Sequence, residues 1–218
     1  FAAAQIARRV CDRFAAETGI PRFVAGSIGP SGKLPSGNDP DLSNITFDAL
    51  ADLFYEQAQG LVEGGVDLLL VETSQDILEV KAAVAGIYRY FRQAGVRVPL
   101  QVQVTLDVTG RMLLGTDIAA VLTILRYLPI DVIGLNCSTG PDYMREPVRY
   151  LTANCNLPIS VIPNAGLPLN VDGKAVYPME PRPLASTLLE FVRDLGVNVV
   201  GGCCGTTPEH IRQIVEQV

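Results

Sequence analysis

Six short runs rich in β-branched and other apolar residues, at 23–28, 66–71, 100–106, 131–135, 159–162 and 197–200, punctuate this chain at a nearly constant interval. The first and last begin 174 residues apart, so the five steps average about 35 residues, the length of a right-handed βαβ unit in a parallel sheet. Runs so uniformly apolar fit strands buried on both faces, as such sheets require. Helical signals fill the intervals. Thr46 stands where an N-cap belongs, with Asp48 in the first turn, and Ile77, Val80, Val84, Ile87 and Phe91 recur at helical spacing. Thr207 followed by Pro208 opens a last helix with Ile211, Ile214, Val215 and Val218 on one face. The expected class is α/β, a single domain over residues 1–218.

Two architectures suit this spacing. An open doubly wound sheet of six strands fits the length, whereas a (β/α)8 barrel built at this interval needs about 280 residues. The chain opens at Phe1 in a helical pattern over 2–18, with no strand before it. The expectation is therefore a (β/α)8 TIM barrel lacking its first two βα units, in an N-terminally incomplete fragment of a larger protein.

Composition narrows the partners. With 17 Lys+Arg against 23 Asp+Glu the net charge is −6, and such a field repels phosphate backbones and anionic bilayers. Neither nucleic acid nor a membrane is an expected partner, and no apolar run approaches the roughly 20 residues of a membrane-spanning helix. Five cysteines, unevenly placed at 11, 137, 155, 203 and 204, are too few for a disulfide framework. With no export signal in the opening residues, they point to thiol chemistry in a reducing, cytoplasmic compartment.

In either architecture the working residues lie just beyond the C-terminal ends of the strands. The loop after the first run, Gly29-Pro30-Ser31-Gly32-Lys33-Leu34, has the wrong spacing for a P-loop; it reads as a tight turn or as backbone N–H groups presented to a small carboxylate. Glu72 ends the second run and either holds a substrate ammonium or, with Ser74, caps the next helix. Asp107 and Gly110 read as a turn. Asn164, in Pro163-Asn164-Ala165-Gly166, reads as a turn residue or as an oxygen ligand for a metal. His210, the lone histidine, reads as a packing or surface residue in the first turn of the last helix, so no Ser-His-Asp logic can be built on it.

The strongest signal is thiolate. Cys137 follows Gly134-Leu135-Asn136, and Cys203 and Cys204 follow Gly201-Gly202 after the last run, so three cysteines converge on one edge from different strands. Neighbours in a regular strand point to opposite faces. Cys203 and Cys204 can therefore share a centre only where the strand has ended and the glycines let the backbone turn. Three thiolates suit zinc and leave a fourth position for a substrate thiol, whose natural reaction is to accept an alkyl group. Cys11 and Cys155 read as inert packing residues.

These motifs, together with Phe23-Val24-Ala25-Gly26-Ser27-Ile28-Gly29-Pro30, Val71-Glu72-Thr73-Ser74-Gln75-Asp76 and Gly205-Thr206-Thr207-Pro208-Glu209-His210-Ile211, resemble the homocysteine S-methyltransferase family, and within it the cobalamin-dependent branch. The resemblance runs along essentially the whole chain. It implies a zinc-bearing (β/α)8 barrel with Cys137, Cys203 and Cys204 as ligands and Asn164 as the metal's partner when substrate is absent. It further implies that homocysteine gives methionine, with Glu72 binding its amino-acid end and the 27–32 segment (Ser27, Gly29, Ser31, Gly32) lying against its carboxylate. Methylcobalamin is the implied donor, and cobalamin- and folate-binding domains of the same or a partner protein are the implied partners. The alternatives are a betaine- or S-methylmethionine-dependent enzyme of the same family, or a non-catalytic barrel fragment with a redox-sensitive Cys203–Cys204 pair.

Overall fold

The computed structural model describes residues 1–218, which fall into two compact units: 1–102 with 129–131, and 103–128 with 132–218. The first holds α1 (Ala2–Thr18), β1 (Ala25–Ile28), α2 (Phe47–Glu63), β2 (Leu68–Ser74) and α3 (Ile77–Ala94). β1 and β2 pair in parallel, from Ala25 opposite Leu68 to Ile28 opposite Val71. The caps are those the chain chemistry calls for. Thr46 accepts the N–H of Ala49, Asp76 accepts that of Leu78, and Gly19 and Gly95 close α1 and α3 in the left-handed conformation that glycine adopts without penalty.

β3 (Leu100–Val104) contributes residues to both units. All five of its residues are buried, with Gln101 and Gln103 alternating with Leu100, Val102 and Val104, so this strand is buried on both faces as expected, with polar side chains on one of them. Gln103 Nε2 meets that need by donating to Ser160 Oγ at 2.8 Å.

The second unit continues with α4 (Ile118–Leu125), β4 (Val132–Asn136), α5 (Pro141–Asn154), β5 (Ile159–Ile162), β6 (Leu169–Val171), β7 (Lys174–Val176), α6 (Pro181–Leu195), β8 (Val199–Val200) and α7 (Pro208–Gln217). β5 pairs in parallel with β4 on one side and β8 on the other. The core of this unit includes Leu125, Ile133, Leu135, Leu151, Val161, Leu184, Leu188 and Phe191, all essentially sealed from solvent.

All six expected strands form, with shifted ends. The first begins at Ala25, because Phe23 is exposed and Val24 is held by its N–H to Asp67. The second runs on through Glu72 to Ser74, and the last shrinks to Val199–Val200. The antiparallel pair β6–β7 was not anticipated, although Asp172-Gly173 is a hairpin signal; φ is 50° at Asp172 and 77° at Gly173, as a primed turn requires.

α2 and α3 pack closely at Gly86, where an added Cβ would stand 2.2 Å from the Ala51 carbonyl oxygen. Alanine favours a helix interior by up to about 1 kcal/mol over glycine, but overpacking against rigid backbone outweighs that gain. We expect Gly86→Ala to destabilise the protein by about 1–3 kcal/mol, read as a lower urea midpoint.

Candidate metal centre

β8 ends three residues before Cys203, and β4 ends at Asn136, immediately before Cys137. Both sulfur-bearing segments are thus irregular backbone held by fixed partners. The Cys137 N–H donates to Ile162 O (3.1 Å), the Cys203 N–H to Pro163 O (2.8 Å), and the Ala165 N–H to Cys204 O (2.9 Å). Thr206 closes the turn by donating its hydroxyl to Cys203 O at 2.7 Å. Gly205, at φ 78°, lies where any Cβ would strike the Tyr177 side chain.

These constraints bring the Sγ atoms of Cys137, Cys203 and Cys204 within 4.8 Å of one another, a set that could hold a metal ion. Cys137 and Cys204 are 3.7 Å apart and Cys203 and Cys204 3.9 Å. Two of the three are half-buried and Cys204 is exposed. The Cys203 thiol hydrogen-bonds the Cys137 sulfur and, opposed by burial but helped by the Ser138 N–H, Cys204 and Asn164, brings Cys137 down to about 6. Cys203, the donor of that bond, is pushed up by it and by burial. Within this pair the charge therefore falls on Cys137 and the proton on Cys203, as expected of two crowded, coupled thiols.

Asn164 joins the same cluster. Its Oδ1 accepts the Cys204 N–H at 3.1 Å, and its own N–H donates to Thr139 O. Two neighbours were overlooked in the sequence. Asn136 is wholly buried and directs Nδ2 to Cys203 Sγ at 3.9 Å, while Thr105 donates to the Asn136 carbonyl at 2.9 Å. Asn136 stands beside Cys137 in the chain; Tyr177 carries no local signal, since only the fold sets it against Gly205.

In the first unit, Ser27 and Glu72 come together, the serine hydroxyl donating to Glu72 Oε1. The segment after β1 is tied down by the start of α3. Asp76 accepts the N–H of Ser36 at 2.7 Å, and Glu79 accepts the N–H (2.8 Å) and the hydroxyl of Ser31. The Ser31 N–H is thus already committed to a carboxylate. Gly32, at φ 82°, turns the loop there. His210 is buried, with Nδ1 facing the Thr207 N–H and Nε2 the Met179 carbonyl, so it is the packing residue of the two readings and also closes the capping box of α7. Cys11 and Cys155 lie outside the cluster.

The sequence model of the homocysteine S-methyltransferase family matches residues 1–218. The chain is 46% identical to methionine synthase of Mycobacterium leprae over 213 residues and to that of Mycobacterium tuberculosis over 216, in each case across 98% of this chain and 17% of the relative. It thus spans about a sixth of those proteins. Among solved structures, the homocysteine methyltransferase MmuM of Escherichia coli superimposes in its apo form with a TM-score of 0.77 and in its metallated form with 0.72, at 24% and 23% identity, over 99% of this chain and 71% and 68% of the other. That likeness shows the fold, the barrel-type βα succession. The chain belongs to the homocysteine S-methyltransferase family.

Strain marks both candidate positions. Thr73 (φ 56°) follows Glu72, and Cys137 and Ser138 (both φ 61°) follow β4, all in the left-handed region that non-glycine residues rarely adopt. We expect Ser138→Gly to raise stability by about 1 kcal/mol, seen as a higher urea midpoint at unchanged slope. Glu79 gives a second test. Burial raises its pKa, chiefly against the hydrogen bonds from Ser31, and its Oε2 is buried without a partner. A raised folded-state pKa favours the protonated form, so this contribution is fully present below the unfolded value and is lost as pH rises through the folded one. Glu79→Gln, whose amide oxygen still accepts from Ser31, should therefore gain on wild type as pH rises from 4 to 8 in parallel denaturations.

Proposed function

We propose that this chain is a zinc-dependent homocysteine-activating domain. Cys137, Cys203 and Cys204 hold the metal, the thiol of homocysteine takes the remaining position, and its sulfur accepts a methyl group to give methionine. The observation that carries the reading is the spacing of the sulfurs. Tetrahedral coordination at a Zn–S distance of about 2.3 Å separates sulfurs by about 3.8 Å, and the two measured separations are 3.7 and 3.9 Å. Zinc, when bound, supplies a Lewis acid that lowers the proton affinity of a thiol at the open position.

The chain's own groups prepare that position. Backbone hydrogen bonds to the carbonyls of Ile162 and Pro163 and from the N–H of Ala165 keep the three sulfurs in place before metal or substrate arrives. Asn164 serves as the metal's partner in the absence of substrate, since an amide oxygen with two lone pairs can keep the Cys204 N–H on one of them. Glu72, oriented by the Ser27 hydroxyl, receives the substrate ammonium. With the Ser31 N–H held by Glu79, contact with the substrate carboxylate falls to the rest of the 27–32 segment, Gly29 and Gly32 included.

The 46% identity to two methionine synthases supports methylcobalamin as the donor, carried with folate-binding machinery by other domains in a cytoplasmic protein. The test is elemental analysis of protein purified without added metal, followed by methionine formation from homocysteine and methylcobalamin. About one zinc per chain is expected. Cys137→Ala should lose most of it, because coordination is a joint property of the set. Full zinc in that variant would refute the ligand set, and turnover with betaine but not methylcobalamin would overturn the donor.

A further inference from the structure

The connection between β1 and α2 runs from residue 29 to residue 46, far longer than joining a strand to a helix requires. It is ordered from within. Asp39 Oδ1 accepts the N–H groups of Asp41 and Leu42 (both 2.9 Å), the Leu34 N–H donates to Leu42 O (3.0 Å), and Lys33 Nζ donates to Asp41 O (2.9 Å). A matched pair of contacts then ties the near end of this loop to the start of α3. Glu79 Oε1 accepts both the N–H (2.8 Å) and the hydroxyl of Ser31, and Asp76 accepts both the N–H (2.7 Å) and the hydroxyl (2.5 Å) of Ser36. The two acids stand about one helical turn apart, and both are buried.

Asp76 has a second task, for it caps α3 by accepting the Leu78 N–H at 2.8 Å. Glu79 caps nothing. Its Oε2 is buried without a hydrogen-bond partner, and an unpartnered acceptor shut away from water costs stability. A carboxylate kept there at such a cost points to a use other than stability. Ser31 lies between Gly29 and Gly32, where an added Cβ would meet nothing within 4 Å. Glu79 thus fastens the middle of the 29–32 segment to α3, while the glycines on either side keep open the backbone to which the substrate's carboxylate was assigned above.

We propose, on the functional reading given above, that Glu79 is a positioning residue for homocysteine: by gripping Ser31 it sets the 29–32 backbone against the carboxylate end of the substrate. Asp76 fixes the same loop further on, at Ser36. Glu79 acts through the loop and on recognition, not on methyl transfer at the metal. Its loss weakens ground state and transition state alike, so KM rises and kcat stays. It also makes the substrate's carboxylate count for less. 3-Mercaptopropylamine is homocysteine without that carboxylate, and a loosened 29–32 segment distinguishes the two compounds less sharply.

The test uses the natural full-length protein loaded with zinc, with methylcobalamin as donor and homocysteine or 3-mercaptopropylamine as the methyl acceptor. Glu79→Ala should raise KM for homocysteine about tenfold, the worth of one or two hydrogen bonds. KM for 3-mercaptopropylamine should stay within about twofold of wild type, with zinc content and kcat at saturating homocysteine retained. Glu79→Gln, whose amide oxygen still accepts from Ser31, should restore homocysteine binding. Because Glu79 is buried and its truncation can disturb folding, Ser31→Ala is the second variant; it deletes only the hydroxyl contact and should raise the homocysteine KM about threefold with the same loss of discrimination. An unchanged homocysteine KM in both variants, or an equal rise for the two acceptors, would overturn the inference. If wild type holds zinc and methylates homocysteine while the variants discriminate as well as it does, this inference alone fails. A wild-type protein that holds no zinc or forms no methionine would overturn the functional reading and this inference with it.

Discussion

The three-cysteine cluster hangs on a short piece of backbone, residues 162–165, that serves as common partner to both sulfur-bearing segments. Parallel pairing sets Gly134 opposite Ser160 and Asn136 opposite Ile162. The approach at Gly134 is close enough that a Cβ there would stand 2.1 Å from the Ser160 carbonyl oxygen. That register delivers the Cys137 N–H to Ile162. One residue further along, Pro163 receives Cys203, and Ala165 donates to Cys204. A slip of one residue in β4 against β5 would turn Asn136 away from Cys203 and dissolve the cluster. The chemistry of the site is therefore written in strand register before any side chain is considered.

Where the strands stop, the backbone leaves its preferred wells. Left-handed residues at Cys137 and Ser138, and at Thr73 after Glu72, stand at the strand ends where an α/β fold keeps its working groups. The first unit answers the same need differently. There two buried carboxylates, Asp76 and Glu79, grip Ser36 and Ser31, so a glycine-containing loop is ordered by the helix that follows the next strand. Such a loop is less a cradle for anions than a segment positioned by acids.

The opposite ends of the strands carry a recurring device. Asp67 accepts the N–H of Val24 (2.6 Å), Asp131 that of Leu100 (2.7 Å) and Asn198 that of Ile159 (2.8 Å). In each case a polar residue just ahead of a strand satisfies the first amide of a strand earlier in the chain. Buried amides at the start of a sheet need acceptors, and three strand starts meet that need with the same device, while Leu69 and Ile133 donate to the backbone carbonyls of Pro99 and Pro158. That solution was invisible as a motif because the paired residues lie 31 to 43 positions apart in the chain and meet only once the strands are aligned.

The amino-acid sequence by itself determined the βα succession, since apolar runs at a constant interval admit few other solutions, and it determined the cysteine set, since Asn-Cys and Gly-Gly-Cys-Cys lie at strand ends where irregular backbone is permitted. It also carried the caps at Thr46 and Thr207 in local chemistry alone, whereas Glu72 and Ser74, read as possible caps of α3, still belong to β2 and the cap is Asp76. Strand ends were less legible: β2 continues through Glu72, Thr73 and Ser74 because strand pairing and burial, rather than composition, decide where a strand stops. The hairpin at Asp172-Gly173 was legible but short. Only the tertiary structure decided that Asn136 faces Cys203, that Asn164 holds the Cys204 N–H, that Ser31 belongs to Glu79, and that the sulfurs stand at metal-binding distance. Those are contacts between residues far apart in the chain, and their geometry is set by register and packing that no local pattern encodes.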